Sequence, residues 1–450
     1  MISLSEEQEQ GLQMMKDCIA SDNSINTLIY GSAGTGKSLL INHLVGYLEK
    51  ERIPYCLCAP THKAALVMER YTNRVAVTLH KLLSLAPNIQ IFELDLRRLL
   101  FIVGKSSPSI PYKGVIICDE ASMINDDLYE LLKHMAKESK CHICFFGDFK
   151  QLSPVQQDSL SKIIHIQPQL ELTKIYRQAN DSELLPVLEV LRSRSINRFE
   201  SNNNLKIAQD FKEFVTIAKD LTVKAIEAND ILQVKIAAYT NARVNAYNEL
   251  LHKLLFGDAF PYYKGEFLTC HDNLEFNNTK FYNSMDYIIT KEPSKVSIPI
   301  PKFPLKTLPG WRITLYDSLY KSRTNVLILS PDIDSESLLT LAETIESLRL
   351  TAIKQSKISK LKGKQYWRDY YQMIGSFTTP FDIFFDNRLI RKRSFSYGYA
   401  STIHKLQGSN YDNILVDIKD VIGKCREEET LRQLEYVALS RTRNNALILQ

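Results

Sequence analysis

The chain has 450 residues, 44% apolar and 24% charged, with a formal net charge of +5; it is too long for one hydrophobic core and predicts about two to four folded domains of ordinary soluble composition. No apolar run approaches membrane-spanning length and the acidic leader MISLSEEQEQ lacks the parts of a signal peptide, so a membrane protein is excluded and a cytoplasmic one expected. The mild positive charge permits a polyanionic partner without demanding one, and the eight cysteines read as buried free thiols, because the only CxxC, Cys141 to Cys144, has no second ligand pair at zinc-site spacing.

In chain order, Thr27-Leu28-Ile29-Tyr30 reads as a short buried strand. It runs into GSAGTGKS at 31–38, and Leu39, Leu40, His43, Leu44 and Leu48 then recur at helical spacing. The octet matches the phosphate-loop pattern GxxxxGK[ST] in the strand-to-helix context that pattern requires. Gly31, Gly34 and Gly36 allow backbone conformations closed to other residues. The amides of Gly31, Ser32, Ala33, Gly34, Thr35, Gly36, Lys37, Ser38 and Leu39 are therefore expected to cradle the phosphates of ATP. Lys37 would reach the β- and γ-phosphates and Ser38 would ligate Mg²⁺.

Strand-like runs continue at 54–61 (PYCLCAPT), 114–120 (GVIICDE), 141–148 (CHICFFGD) and 170–173 (LELT), alternating with helical patterns, which predicts a parallel sheet with crossover helices. Val115 to Cys118 deliver Asp119 and Glu120 to a strand's carboxyl end, where open α/β sheets bind ligands. Asp119 would hold Mg²⁺, and Glu120 would deprotonate the water that attacks the γ-phosphate. Prolines 87, 108 and 111 break the rhythm over 84–112, which looks like a hairpin insertion. A second α/β series starts after Leu184 with KIAAYT (235–240) and a helix from Ala242 to about Leu255. A segment from about 259 to 395, rich in Pro, Lys and aromatics, interrupts it. That segment has strand-like pieces near 286–290, 312–316 and 325–329 and a helical pair joined by the basic KISKLKGK. The series resumes with GYASTIHKLQG, NILVDIK (413–419) and NALILQ. The second series contains no second phosphate loop.

The strings between these elements carry a specific resemblance. GDFKQLSPV (147–155) looks like motif III of superfamily 1 helicases, CDEASM resembles motif II and APTHKAA (59–65) motif Ia. TLHKLL (78–83), LTKIYRQ (172–178), YASTIHKLQG (399–408) and YVALSRTR (436–443) resemble motifs Ib, IV, V and VI, and LSEEQ at 4–8 the adenine-reading Q motif. The chain resembles the RecD-like and Pif1-like branch, superfamily 1B. The resemblance implies an α/β fold of two tandem RecA-like domains of the P-loop NTPase type. The expected layout is a first RecA-like unit (1–83 and 113–183), a β-hairpin insertion (84–112), a second RecA-like unit (184–258 and 396–450) and an SH3-like insertion with a helical extension (259–395).

It further implies that Gln8 reads the base, that Gln151 senses the γ-phosphate, and that Arg177 and Arg441 are arginine fingers; which arginine of RTR inserts, Arg441 or Arg443, is inferred from the motif alone. Pro60, Thr61, His62, Thr78 and His80 in the first unit, and Thr240, Asn241, Ser401, Thr402, His404 and Lys405 in the second, would contact the phosphates of single-stranded DNA without reading sequence. Phe92 and Phe101 are candidates for a pin that stacks on the base at a fork junction, with hairpin core as the bland alternative. The aromatic cluster Tyr366, Trp367, Tyr370 and Tyr371 is too crowded for one helical face, so some of it is expected to be exposed or to contact a neighbour, with packing on the pin hairpin as the hypothesis and a self-contained aromatic helix packing as the bland alternative. The expected activity is that of a monomeric ATP-dependent DNA helicase moving 5′ to 3′ in replication, repair or recombination. The alternatives are a translocase that strips proteins from single strands and a nucleotide-switched DNA-binding adaptor.

Overall fold

The computed structural model describes residues 3–21, 26–87, 101–103, 108–154, 159–176, 182–196, 198–276, 279–317 and 321–450, with the backbone alone at 86–87, 101–103 and 360–362. The first unit begins with α1 (Glu6–Ala20), β1 (Thr27–Gly31), α2 (Lys37–Lys50), β2 (Tyr55–Ala59), α3 (His62–Thr72), β3 (Ala76–Thr78) and the one-turn α4 (Leu79–Leu82). β4 (Leu85–Pro87) and β5 (Phe101–Val103) then pair antiparallel, as a hairpin insertion requires. The unit closes with β6 (Val115–Cys118), α5 (Asp126–Glu138), β7 (His142–Gly147) and β8 (Gln169–Leu172). Its sheet has the order β3-β2-β6-β7-β1-β8 and is parallel throughout. Helices cover both faces, and that is why β6 and β7 are buried at every position instead of alternating.

The second unit runs through α6 (Leu184–Leu191), β9 (Leu205–Ile207), α7 (Phe211–Glu227), β10 (Val234–Ala238) and α8 (Asn241–Phe256). The intervening segment holds β11 (Phe267–Cys270), β12 (Leu274–Phe276), β13 (Thr279–Phe281), β14 (Asp286–Ile289), β15 (Ser294–Pro299), β16 (Thr307–Asp317) and β17 (Ser322–Leu329). It continues with α9 (Ser335–Ile358), α10 (Lys360–Ile374), β18 (Ile383–Phe385), β19 (Arg388–Arg391) and β20 (Phe395–Tyr397). Its main sheet is antiparallel, β15-β16-β14-β11-β20 with β17 on β16, so its closing strand straddles the expected 395/396 boundary. The second unit resumes with β21 (Ala400–Thr402), α11 (Ile403–Leu406), β22 (Tyr411–Asp417), α12 (Ile418–Lys424), α13 (Glu428–Ser440) and β23 (Thr442–Leu449), and its parallel sheet has the order β21-β10-β22-β23-β9.

Two sequence expectations need correction. KISKLKGK is not a connecting loop: the helical pair breaks at one extended residue, Ser359, and the basic run belongs to the two helices. Gly363 is what lets them turn back so tightly, since a Cβ there would sit 2.2 Å from Ser356 Oγ. β3 and β9 carried no strand signal because each is three residues long. Of the aromatic cluster, Tyr371 is half exposed and stacks on Trp367 at 5.8 Å, while Trp367 Nε1 donates to Ser356 Oγ at 3.1 Å, so these rings pack within the helical pair. Phe92 and most of the pin hairpin lie outside the described residues, and of Phe101 only the backbone is described. All eight cysteines are free, and no helix among the described residues is long and apolar enough to cross a membrane.

Candidate nucleotide cleft and strand-facing edges

β1 delivers the glycine loop to the carboxyl edge of the first sheet. Gly34 and Gly36 adopt left-handed φ of 90° and 86°, and a Cβ on Gly36 would lie 2.2 Å from the Gln8 side chain. Gly36 is also the N-cap of α2 and makes no side-chain cap, so no side chain competes there for the first-turn amides. Lys37 Nζ donates to the loop's own Gly31 and Ser32 carbonyls at 2.6 and 2.9 Å. Gln8 is buried. Its side-chain oxygen accepts from Ser5 N, closing a capping box on α1, and its Nε2 donates to Thr35 O at 3.1 Å. The Q-motif glutamine therefore braces the phosphate loop as well as lining the cleft.

Opposite the loop, Asp119 Oδ1 accepts from Glu120 N at 2.8 Å and Oδ2 from the Tyr71 hydroxyl at 2.9 Å. The Tyr71 hydroxyl also bonds Ser38, and burial together with the Asp119 charge pushes it well above its usual range. Ser38 and Asp119 thus converge on one phenol in an all-oxygen set, a donor chemistry that fits Mg²⁺ completed by nucleotide phosphates and water. Glu120 has a left-handed φ of 53°, an outlier for a residue with a side chain. Burial, then the Asp119 charge, raises its pKa, while Arg441 and Lys37 act in the opposite direction. A carboxylate held so can take a proton more readily than a solvated one.

The second unit supplies the far wall. Arg441 is 3% exposed, and its Nε and Nη2 have no partner among the described residues although it lines the cleft. Arg443 is half exposed and pairs with Asp412 at 3.4 Å, so of the two arginines in RTR it is Arg441 that faces the loop. Gln151 Nε2 donates to Asp148 Oδ2 at 3.0 Å, and the Tyr436 hydroxyl, from α13, donates to the same oxygen at 2.9 Å. Gln151 therefore sits one carboxylate away from the second unit. The cleft encloses about 610 Å³ between Gln8, Lys37, Asp119, Glu120, Gln151 and Arg441. Arg177 lies outside the described residues. Sequence reasoning missed Tyr71, the Asp148–Tyr436 bond across the units, and Tyr176, whose exposed ring lines the cleft and whose N donates to Gly34 O at 2.7 Å. Tyr176 alone had a signal, as an aromatic in the motif IV string.

The expected strand contacts fall into two matching sets. Pro60, Thr61 and His62 follow β2, and Thr78 and His80 lie at the end of β3, on one edge of the first sheet; Thr240 and Asn241 follow β10, and Ser401, Thr402, His404 and Lys405 follow or end β21, on the corresponding edge of the second. Several hydroxyls are already engaged. Thr61 caps α3, Thr78 caps α4, and Thr240 both caps α8 and donates to Asp420. That leaves Thr240 the poorest phosphate donor of the set, while Asn241 and His404 are exposed.

A family model described as an AAA domain matches residues 3–210, the part that holds the phosphate loop. The ATP-dependent DNA helicase Dda of Enterobacteria phage T4 is 22% identical over 98% of each chain. The ATP-dependent RecD2 DNA helicase of Deinococcus radiodurans is 32% identical over 40% of this chain and 23% of its own. Among solved structures, the Pif1 helicase from Bacteroides in complex with ADP-AlF3 and ssDNA superposes with a TM-score of 0.53 at 17% identity, covering 100% of this chain and 92% of that one. The fold is thus two RecA-like units in tandem. With a phosphate loop in the first unit and an arginine offered from the second, the chain is similar over its whole length to the Dda helicase of phage T4 and shares its fold with the Pif1 helicase from Bacteroides.

Proposed function

We propose that the chain is an ATP-driven DNA helicase whose two RecA-like units, divided as the motif layout expects, close and open on one nucleotide. The observation that carries this reading is Arg441, a buried guanidinium from the unit without a phosphate loop, lining the cleft with Lys37 and Glu120, two of its nitrogens without a partner among the described residues. In this reading the loop amides from Gly31 to Leu39 take the phosphates and Lys37 leaves its two carbonyl partners for the β/γ oxygens. Gln8 and Tyr176 flank the base, and Ser38 and Asp119 hold Mg²⁺. When bound, that ion neutralises charge on the β- and γ-phosphate oxygens. Glu120 accepts the proton of the attacking water. Arg441, with Arg177, donates to the oxygens of the transferring phosphoryl group. Losing the γ-phosphate removes what Arg441 binds, and the Gln151–Asp148–Tyr436 chain links that loss to α13.

The two edge sets then alternate grip on single-stranded DNA. Ligand-dependent closure changes their spacing, and differential affinity of the open and closed states gives stepping. We read the direction as 5′ to 3′, the antiparallel sheet with its helical pair as an SH3-like domain with an extension, and the working unit as a monomer. The test is ATP-dependent unwinding of duplexes with a 5′ tail, a 3′ tail or none. Unwinding from the 5′ tail alone is expected. A 3′ preference overturns the direction, and ATPase with no unwinding but displacement of streptavidin from a biotinylated strand replaces the helicase with a translocase.

A further inference from the structure

His62, an expected strand contact at the start of α3, is covered by a residue of the insertion. The Tyr282 ring stacks on it with centroids 4.6 Å and planes 29° apart. Lys63 reaches the same segment, its Nζ donating to the Ser284 carbonyl at 3.2 Å, and Leu66 is buried in the insertion's core. The insertion therefore walls the edge of the first unit along which the strand is expected to run.

The wall is rich in uncompensated positive charge. Asp286 is bonded by Lys235 Nζ at 2.7 Å and by the Thr269 hydroxyl at 2.5 Å. Lys63 and Lys405 lie near enough to feel the same carboxylate, and Lys405 Nζ donates to His271 Nδ1 at 3.2 Å. Burial and the neighbouring cations bring Lys63 down to about 8 and His271 to about 3, so His271 is neutral and serves Lys405 as an acceptor. Three lysines around one carboxylate, at the meeting point of both units and the insertion, leave a charge deficit that a phosphodiester fills. An aromatic pair beside such a cluster is the chemistry of a single-strand stacking platform.

We infer that Tyr282 is a strand-binding residue: a nucleobase of single-stranded DNA stacks on its ring, in the slot it shares with His62 when no strand is present, and the adjoining phosphate sits at Lys63. This rests on the single-strand reading above and extends the strand path onto the insertion. To admit the base the two rings part by roughly one ring thickness, a movement available at the edge of the insertion, where Tyr282 is only partly buried.

The experiment compares affinities for an oligothymidylate and for an abasic phosphodiester of equal length, by anisotropy, in the wild type, Tyr282→Ala and Tyr282→Phe, each checked for folding by circular dichroism. Wild type and Tyr282→Phe should prefer the base-bearing strand. Tyr282→Ala should lose roughly 5- to 100-fold on that strand, the span expected when one base-stacking aromatic is removed, and little on the abasic one. An equal loss on both strands, or none on either, overturns the inference while leaving the helicase reading intact. A wild type that binds neither strand sinks both.

Discussion

The two parallel sheets follow the same plan, yet only one holds a phosphate loop. Aligned strand for strand, β3-β2-β6-β7-β1 corresponds to β21-β10-β22-β23-β9, in the same chain order. After β1 the chain turns through glycines and enters α2 without a side-chain cap. After β9 it turns at once into α7, where Asp210 accepts from Glu213 N at 2.8 Å and Glu213 accepts from Gln209 N at 2.6 Å. Carboxylates thus occupy the helix start where the first unit leaves amides for phosphate. The third strands both end in a carboxylate bonded by a tyrosine. Asp119, at the end of β6, takes a hydroxyl from Tyr71; Asp417, at the end of β22, takes one from Tyr247 at 2.7 Å and is also neutralised by Arg243 Nε at 2.6 Å. A carboxylate so satisfied has no charge to offer a metal. In the second unit the carboxylates at these positions are thus paired internally.

The largest effect should come from Lys37→Ala, which should abolish strand-stimulated ATP turnover; multiple turnover in that variant would break the asymmetry between the units. Arg441→Ala should lower kcat by roughly 10³-fold. Its melting temperature without nucleotide should not fall, because two guanidinium nitrogens have no partner to lose among the described residues; a loss of stability with little change in kcat would make Arg441 structural. Asp417→Asn should cost about 2 to 3 kcal/mol in denaturant unfolding, by uncoupling Arg243 from a buried partner, and leave nucleotide affinity intact.

A subtler comparison concerns two carboxyls raised by burial, Glu120 in the first unit and Glu435 in the second. Glu120→Gln should bind ATP and fail to hydrolyse it, seen as retained nucleotide after gel filtration. Burial pushes Glu435, which accepts from Ile196 N, up to about 7. Between the ordinary carboxyl range and pH 7 the native state keeps a proton that the unfolded state has lost. The stability this confers is complete at acid pH and disappears as pH rises through 7. Glu435→Gln should therefore match wild type near pH 4.5 and exceed it at pH 8, by up to about 3 kcal/mol; a difference that does not change with pH would refute it. The smallest effect should be that of Asp210→Ala, about 1 kcal/mol of stability from a lost cap with turnover unchanged.

The octet at 31–38, the Asp119–Glu120 pair and the longer strands of the first unit were readable from residue strings because each is local: a glycine turn, an apolar run or a carboxylate at a strand end announces itself within ten residues. So was the interruption of the second unit, through composition. Tyr71, Tyr436, Tyr282 and the engagement of Thr240 by Asp420 were not, since each depends on a partner 48 to 288 residues away along the chain for the hydrogen-bonded cases. The strings also could not tell Arg441 from Arg443. Both are arginines in one motif, and the last turn of α13 and the start of β23 point one into the cleft and the other to Asp412. Residue types and their local spacing thus determine the phosphate-loop pattern and the strand end that carries Asp119 and Glu120. Which charges stay unpaired follows from the packing of one unit on the other, because pairing is a matter of distance in space.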